Sequence, residues 1–247
     1  MKAVFLCAGN GRRMLSPTTG IPKSMVKVGD KPKPILELAI NNCKGVHGID
    51  EFLIVVHKDD NIIQNYFRDG SDFGVNIRYV FQESPQGTAD AIRCAEKYAD
   101  NAFLVIYGDN IFTKRLVESI KFTHEHGHKD AVATYGLYYM TDQEKLKQVG
   151  TAEIDDEHHI LQIIEKSLTT ISNYAVTGIM IFEPIIFETM KRNWHKSLRG
   201  EYEIHDYTNI LLHEGRVVNA HISTDLWMDV TQPSDIPKAN EIAKAIH

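Results

Sequence analysis

The sequence has few cysteines, no long apolar run and no basic stretch. Its three cysteines, Cys7, Cys43 and Cys94, are odd in number and lie far apart, which argues against a disulfide framework and against a structural zinc site. No segment approaches the roughly 20 consecutive apolar residues that a membrane span requires. We therefore expect a globular protein with buried free thiols and no membrane partner.

The sequence has fewer basic than acidic residues, with 27 lysines and arginines against 33 aspartates and glutamates. The formal net charge is -6, which would repel a polyanion, so nucleic acid is not expected as a partner. A small phosphorylated ligand remains compatible with this charge, because a few convergent cations and backbone N–H groups suffice to bind one. The sequence shows no secretory leader, so we expect a cytoplasmic protein. It leaves a homo-oligomer open.

The first half of the chain alternates short β-branched apolar runs with segments of helical periodicity. Strands are predicted at residues 3–7, 52–57, 75–81 and 103–107, and helices at 35–42, 59–67, 88–98 and 116–124. This alternation predicts an α/β fold with a mainly parallel sheet between two layers of helices. Ligands of such sheets bind beyond the carboxyl ends of the strands, so the loops after residues 7 and 107 should meet.

The pattern changes at about residue 130. Strands are predicted with fewer intervening helices at 131–139, 150–154, 160–164, 175–182 and 216–222, and a closing helix at 233–246. No linker rich in proline, glycine or serine divides the halves, and no internal repeat is present. We therefore predict one domain, 1–247, with a first lobe (1–130) and a second lobe (131–247) that extends the sheet in mixed fashion.

A glycine-containing loop with three cations follows the first predicted strand, in the stretch FLCAGNGRRMLSPTTGIPK, residues 5–23. Gly9 and Gly11 permit close approach of the backbone to a ligand. Arg12 and Arg13 carry guanidinium forks suited to phosphate oxygens, and Lys23 adds a point charge. The loop therefore predicts binding of a polyphosphate.

Two common phosphate loops do not fit this stretch. A Walker loop requires a glycine-lysine-serine/threonine ending that is missing here, and a dinucleotide fingerprint requires a third glycine where Met14 stands. Instead, residues 6–14 and the pair Pro22–Lys23 resemble the signature loop of the sugar-1-phosphate nucleotidyltransferases, L-A-[AG]-G-x-G-T-R-[LM] with P-K about ten residues beyond the arginine. The departures are Cys7 for alanine, Arg12 for threonine and a proline one position late.

The resemblance implies roles for the residues of this loop. Arg13 and Lys23 would be catalytic cations that contact the phosphates of a nucleotide. Ala8, Gly9 and Gly11 would bind the same nucleotide through the backbone.

A second segment, FQESPQGTADAI at residues 81–92, resembles the family element Q-x-x-x-x-G-T-A-x-A. The resemblance implies that Gln82, Gly87 and Thr88 bind the nucleotide, and that Gln82 and Gly87 contact its base. A glutamine amide offers both a donor and an acceptor, which suits a pyrimidine. Thr88 is also predicted as the N-cap of the following helix.

Two further segments, VIYGDNIF (105–112) and WMDV (227–230), resemble the metal-binding elements of the family. They imply that Asp109 and Asp229 hold Mg²⁺, which commonly takes one or two protein carboxylates with phosphate oxygens and water. In this chain Thr231–Gln232 replaces the glycine-threonine pair that usually follows the second aspartate.

The second lobe contains segments that resemble the sugar-phosphate elements of the family, namely QIIEKS (162–167), NYAVTGIMIF (173–182) and RGEYEIHDYTNILL (199–212). The resemblance implies that Glu165, Lys166, Asn173 and Glu201 in these segments contact the sugar phosphate, and that Lys166 is also a catalytic cation. It implies a further contact through the backbone of Gly150.

The matched segments occur in family order over nearly the whole chain, so the sequence is identified as a member of this family. The resemblance implies a Rossmann-like α/β/α fold without a C-terminal left-handed β-helix, with the nucleotide on the first lobe and the sugar phosphate on the second. The implied activity transfers a nucleoside monophosphate from dTTP or UTP to a sugar 1-phosphate, by default glucose 1-phosphate, with Mg²⁺ as cofactor. Alternatives are a CTP-dependent enzyme acting on phosphocholine or another phosphate, and a silent nucleotide-sugar-binding relative.

Overall fold

A computed structural model describes residues 1–9 and 20–246 of the chain. Within them, strands of very different lengths are present. They are β1 (Lys2–Leu6), β2 (Lys27–Val28), β3 (Lys33–Pro34), β4 (Glu51–His57), β5 (Ile77–Gln82), β6 (Phe103–Tyr107), β7 (Asn110–Phe112), β8 (Ala131–Tyr139), β9 (Gly150–Ile154), β10 (Ile160–Glu165), β11 (Tyr174–Phe182), β12 (Val217–Ser223) and β13 (Trp227–Asp229).

The α-helices of the described residues lie mainly in the intervals between the long strands. They are α1 (Ile35–Cys43), α2 (Ile62–Phe67), α3 (Thr88–Cys94), α4 (Lys114–His126), α5 (Gln143–Leu146), α6 (Ile185–Arg192), α7 (Ile204–His213) and α8 (Ile236–Ile246). None of the helices in 1–9 and 20–246 has the length and apolar character needed to cross a membrane.

The first half forms a parallel sheet in the spatial order β5-β4-β1-β6. Alternate side chains of β1 enter different cores, because successive residues of a strand point to opposite faces. Val4 packs in the core covered by α3, α6 and α7, whereas Ala3 and Phe5 pack in the core covered by α1, α2 and α4. The predicted α/β/α layering is therefore confirmed.

The second half continues the same sheet in mixed orientation, as predicted. Strand β11 runs antiparallel to β6 and joins it to β8 and β9, while β12 is parallel to β8. In the described residues the sheet has nine strands. Since β6 and β11 are hydrogen-bonded neighbours, residues of the second lobe are carried to the edge where β1 and β6 end.

Several boundaries differ from the sequence prediction. The helix predicted at 88–98 is interrupted after Cys94 and continues as a 3₁₀ turn, Glu96–Tyr98. Helix α2 begins at Ile62 rather than at residue 59. Asp60 lies before the first turn of this helix, and its side chain accepts from the backbone N–H of Ile63. Strands β7 and β13 were not predicted, because three-residue strands are too short to show periodicity.

Candidate active site

A cavity of about 410 Å³ opens at the carboxyl ends of β1, β5 and β6. From β1 the chain passes to β4 and β5 on one side, and from β5 it crosses back to β6 on the other side of β1. This reversal of the strand order creates a crevice. Several residues singled out in the sequence line this cavity, from both lobes. They are Ala8, Gly9, Lys23, Gln82, Gly87, Thr88, Asp109 and Glu201.

Two site residues named from the sequence, Gly11 and Arg13, lie outside the described residues, as does Arg12. Their assigned roles stay predictions. On either side of these residues, Gly9 and Lys23 both line the cavity.

The wall formed by β5 and α3 contains a buried polar chain. The side-chain amide of Gln82 donates to Asp90 Oδ2 at 2.6 Å, and Arg93 donates to Asp90 Oδ1 at 2.9 Å. Both Gln82 and Asp90 are buried. Asp90 was not singled out in the sequence analysis, although it lies within the matched segment, because it occupies a position that the family pattern leaves unspecified.

The neighbouring Gly87–Thr88 step packs against the second lobe. A Cβ on Gly87, whose φ is +125°, would lie 2.4 Å from the carbonyl oxygen of Tyr202, so only glycine permits this approach. The prediction that Thr88 is the N-cap of α3 is wrong, since the N-cap is Gly87. The Thr88 hydroxyl instead accepts from the backbone N–H of Ile204, the first residue of α7.

Asp109 lines the cavity, and the segment that carries Asp229 pairs with the segment next to it. Strands β7 and β13 are antiparallel with Asn110 opposite Asp229, and the N–H of Val230 donates to the carbonyl oxygen of Asp109 at 2.9 Å. Lys23 Nζ lies 3.4 Å from Asp109 Oδ2. The pairing therefore joins two aspartates that are 120 residues apart in the sequence.

The charges at this wall favour a bound cation. Burial, and then the charges of Asp109 and Asp235, raise the pKa of Asp229 to about 6. Two close carboxylates supply the hard oxygen ligands that Mg²⁺ prefers. No group of three or more His, Cys, Asp or Glu side chains suited to a metal occurs in residues 1–9 and 20–246. The donor set thus fits an ion that completes its shell with substrate oxygens and water.

Trp227 anchors this arrangement. Its indole N–H is shared between Asn110 Oδ1 at 3.0 Å and the carbonyl oxygen of Thr177 at 2.8 Å, and its side chain is buried. Since Trp227 is the first residue of β13 and Asp229 the last, the tryptophan fixes the strand that carries the carboxylate.

A second charged cluster forms where β9 and β10 pair, with Gly150 opposite Glu165. Glu165 contacts Lys166 Nζ at 3.2 Å, Arg199 at 3.4 Å and His205 Nε2 at 3.3 Å. Burial opposes ionisation of Glu165, but the hydrogen bond and charge of His205, together with Lys166, lower its pKa to about 2. Glu165 is therefore an ionised carboxylate that contacts Lys166, Arg199 and His205.

The charge of Glu165 also acts on Tyr107, which lines the cavity. Burial, followed by the negative charge of Glu165, holds the pKa of the Tyr107 hydroxyl well above its usual value.

Lys166 has a φ of +44°, which is a costly backbone conformation for a residue with a side chain and is often found at functional sites.

Asn173, the remaining sequence-predicted residue, is engaged elsewhere. It accepts from the Gln143 amide at 3.1 Å and donates to the Tyr139 hydroxyl at 3.2 Å. These contacts tie the start of β11 to the end of β8 rather than to Glu165. The sequence gives no indication of the role of His205, since a single histidine without periodic or metal-ligand spacing carries no signal for a buried carboxylate partner.

Comparisons with known proteins agree with this geometry. The sequence model described as nucleotidyl transferase matches residues 2–245. The low-salt glycan biosynthesis nucleotidyltransferase Agl11 of Haloferax volcanii is 34% identical over 98% of this chain, which spans 66% of that relative. The UTP–glucose-1-phosphate uridylyltransferase AglF of the same organism is 33% identical over 98% of this chain and 96% of its own length.

A solved structure supports the same assignment. A crystal structure assigned to a glucose-1-phosphate thymidylyltransferase from Bacillus anthracis superposes with a TM-score of 0.83 at 29% identity, covering 100% of this chain and 96% of that one. The family match extends over almost every residue, and the relatives share the fold as well as the sequence. The chain therefore belongs to the nucleotidyl transferase family of enzymes.

Proposed function

We propose that the protein transfers a nucleoside monophosphate from dTTP or UTP to a sugar 1-phosphate, with glucose 1-phosphate as the first acceptor to test. The main support for this proposal is the set of side chains that line a single cavity. The cavity is lined by Gln82, by Lys23 and Asp109, and by Glu201 of the second lobe. A base, a polyphosphate and a sugar would meet these groups in that order.

The reaction requires no nucleophile from the protein. An oxygen of the sugar 1-phosphate, already anionic at neutral pH, attacks the α-phosphorus, and pyrophosphate leaves with the electron pair of the broken P–O bond. Cys7, the thiol in the cavity lining, does not serve as a nucleophile, because burial raises its pKa to about 12. Catalysis then consists of positioning two anionic substrates and offsetting their repulsion.

Specific side chains would perform that task. Lys23 lies beside Asp109 and would contact the triphosphate, while Lys166 beside Glu165 would contact the sugar phosphate. Asp109 and Asp229 would hold Mg²⁺, which when bound neutralises charge on the reacting phosphates. Arg13 keeps its predicted role on the triphosphate by resemblance. The assignment of the two lobes to the two substrates and a cytoplasmic location stay predictions.

Pyrophosphate release provides the direct test of this function. We expect release in a grid of dTTP, UTP, CTP, GTP and ATP against hexose 1-phosphates and phosphocholine only when Mg²⁺ and either dTTP or UTP are combined with a hexose 1-phosphate. Release confined to CTP with phosphocholine would favour the cytidylyltransferase alternative. A lack of release in every combination would favour the silent relative.

Gly150 provides a test of the sugar-phosphate cluster. A Cβ at this position would lie 2.8 Å from Glu165 Oε2 and 3.1 Å from His205 Nε2, so Gly150→Ala should displace the glutamate. We expect kcat/KM for the sugar 1-phosphate to fall about 10-fold or more, because small misplacements of substrate-binding groups are costly. Steady-state kinetics would measure this, and the KM for the nucleotide should stay unchanged. An unaltered kcat/KM for the sugar 1-phosphate would contradict the assignment.

A further inference from the structure

The orientation of the Gln82 amide is determined by a residue that does not line the cavity. Gln82 and Asp90 are only 3% and 4% exposed, and Gln82 Nε2 donates to Asp90 Oδ2 at 2.6 Å. The other carboxylate oxygen of Asp90 accepts from Arg93 at 2.9 Å. Arg93 in turn lies over the ring of Trp194, with 4.3 Å between the guanidinium carbon and the ring centroid.

Asp90 removes a freedom that a glutamine otherwise has. Rotation of a side-chain amide by 180° exchanges its donor and acceptor ends, and both orientations are chemically acceptable in water. An ionised carboxylate only accepts hydrogen bonds, so the rotated amide would place two acceptor oxygens against each other in a buried location. Such an arrangement is strongly unfavourable. The NH₂ group of Gln82 must therefore face Asp90, and Oε1 is the end left for a ligand.

We propose that Asp90 is a positioning residue for base recognition, which deepens the proposed function and rests on it. By holding the NH₂ group, Asp90 presents Gln82 Oε1 as an acceptor to the base. Uracil and thymine carry an N3–H donor between two carbonyl groups. Cytosine carries an unprotonated N3 at the same place, and the lone pair of that nitrogen would repel the lone pair of Gln82 Oε1. The site therefore selects a base with a ring N–H over one with a bare ring nitrogen.

The selectivity does not arise from glutamine alone. A freely rotating amide would accept from N3–H of uracil in one orientation and donate to N3 of cytosine in the other, and so would accommodate both. With Asp90 in place only the first orientation is available. Discrimination of about 10-fold to 100-fold is the size expected when a hydrogen-bonding edge is mismatched.

The test compares nucleotides and variants in one series. We would measure kcat/KM for UTP, dTTP and CTP at saturating sugar 1-phosphate, and in parallel the Kd of each Mg²⁺–nucleotide by calorimetry. In the wild type we expect UTP and dTTP to exceed CTP by about 10-fold or more. In Asp90→Asn, whose amide either donates or accepts, we expect this ratio to fall about 5-fold or more, mainly through improved use of CTP.

Arg93→Gln is the matched control. It removes the ion pair on Asp90 but leaves the contact between Asp90 and Gln82, so the UTP:CTP ratio should stay within about 2-fold of wild type. If both variants unfold at a lower temperature than the wild type, Asp90 and Arg93 share a role in stability. A role in stability alone would not change the UTP:CTP ratio. If Asp90→Asn does not fold, wild-type binding of N3-methyl-UTP against UTP provides the second test, with a loss of about 10-fold expected.

The outcomes separate this inference from the proposed function. A folded Asp90→Asn variant with an unchanged UTP:CTP ratio would overturn the role of Asp90, as would a wild type that binds CTP as well as UTP. If no nucleotide supports pyrophosphate release, the proposed function fails, but the Kd ratio still decides whether Asp90 orients the amide.

Discussion

Replacement of Asp109 by asparagine should lower kcat about 10²-fold to 10³-fold. Asp109 lies against β13 through the hydrogen bond from Val230, 3.4 Å from Lys23 and in the cavity lining. An asparagine keeps the shape and can still accept a hydrogen bond, but it removes the negative charge that would hold Mg²⁺. Turnover at saturating substrates over a range of Mg²⁺ concentrations measures the effect.

The control for this variant is a surface aspartate, Asp100→Asn, at a side chain that is largely exposed and should not affect kcat. The stability of Asp109→Asn is informative too. Removal of the Asp109 charge relieves its repulsion with the buried Asp229 and offsets the loss of the contact with Lys23, so the free energy of unfolding should change by less than about 1 kcal/mol. Near-normal turnover of Asp109→Asn at saturating Mg²⁺ would contradict the metal assignment. A loss of activity together with a loss of stability would indicate a structural role instead.

Replacement of Trp227 by alanine should lower the free energy of unfolding by about 3–5 kcal/mol. The change removes a buried aromatic side chain and its two hydrogen bonds, to Asn110 and to the carbonyl oxygen of Thr177. Strand β13 is only three residues long, so losing the contacts of its first residue should weaken its pairing with β7. Urea denaturation monitored by circular dichroism measures the loss.

Trp227→Phe is the comparison that separates packing from hydrogen bonding. It keeps most of the apolar side chain but leaves the acceptors on Asn110 and Thr177 without the indole donor, so a loss of about 1–3 kcal/mol is expected. Because β13 carries Asp229, kcat of the alanine variant should also fall at temperatures where it remains folded. An unfolding free energy within about 1 kcal/mol of wild type for Trp227→Ala would contradict the anchoring role.

Most of the long elements were predictable because their signal is local, although helices α6 and α7 were not predicted. The predicted strands 131–139 and 150–154 coincide with β8 and β9, since apolar β-branched runs bounded by polar turns specify a strand without reference to the rest of the chain. The same periodicity predicted the layering, which the opposite cores on the two faces of β1 confirm.

The short elements and the contacts between lobes were not predictable in this way. Strands β7 and β13 exist because residues 110–112 and 227–229 pair with each other, and neither segment has a pattern of its own. Thr88 was predicted to cap its own helix, yet its hydroxyl accepts from the backbone of α7. A residue type states which bond it can make, but the partner depends on which distant segment the fold brings near.

The sequence by itself determined the chemistry on offer, namely cations and glycines after β1, an amide in β5 and single aspartates after β6 and in β13. These features are local in the chain, and the order of the motifs identified the family before any contact was visible. Only the tertiary structure decided what those groups face. Asp90 turns the Gln82 amide, His205 contacts the Glu165 carboxylate, and Asp229 lies beside Asp109. Hydrogen bonds and ion pairs depend on distances of a few ångströms between segments far apart in sequence, and packing alone sets those distances.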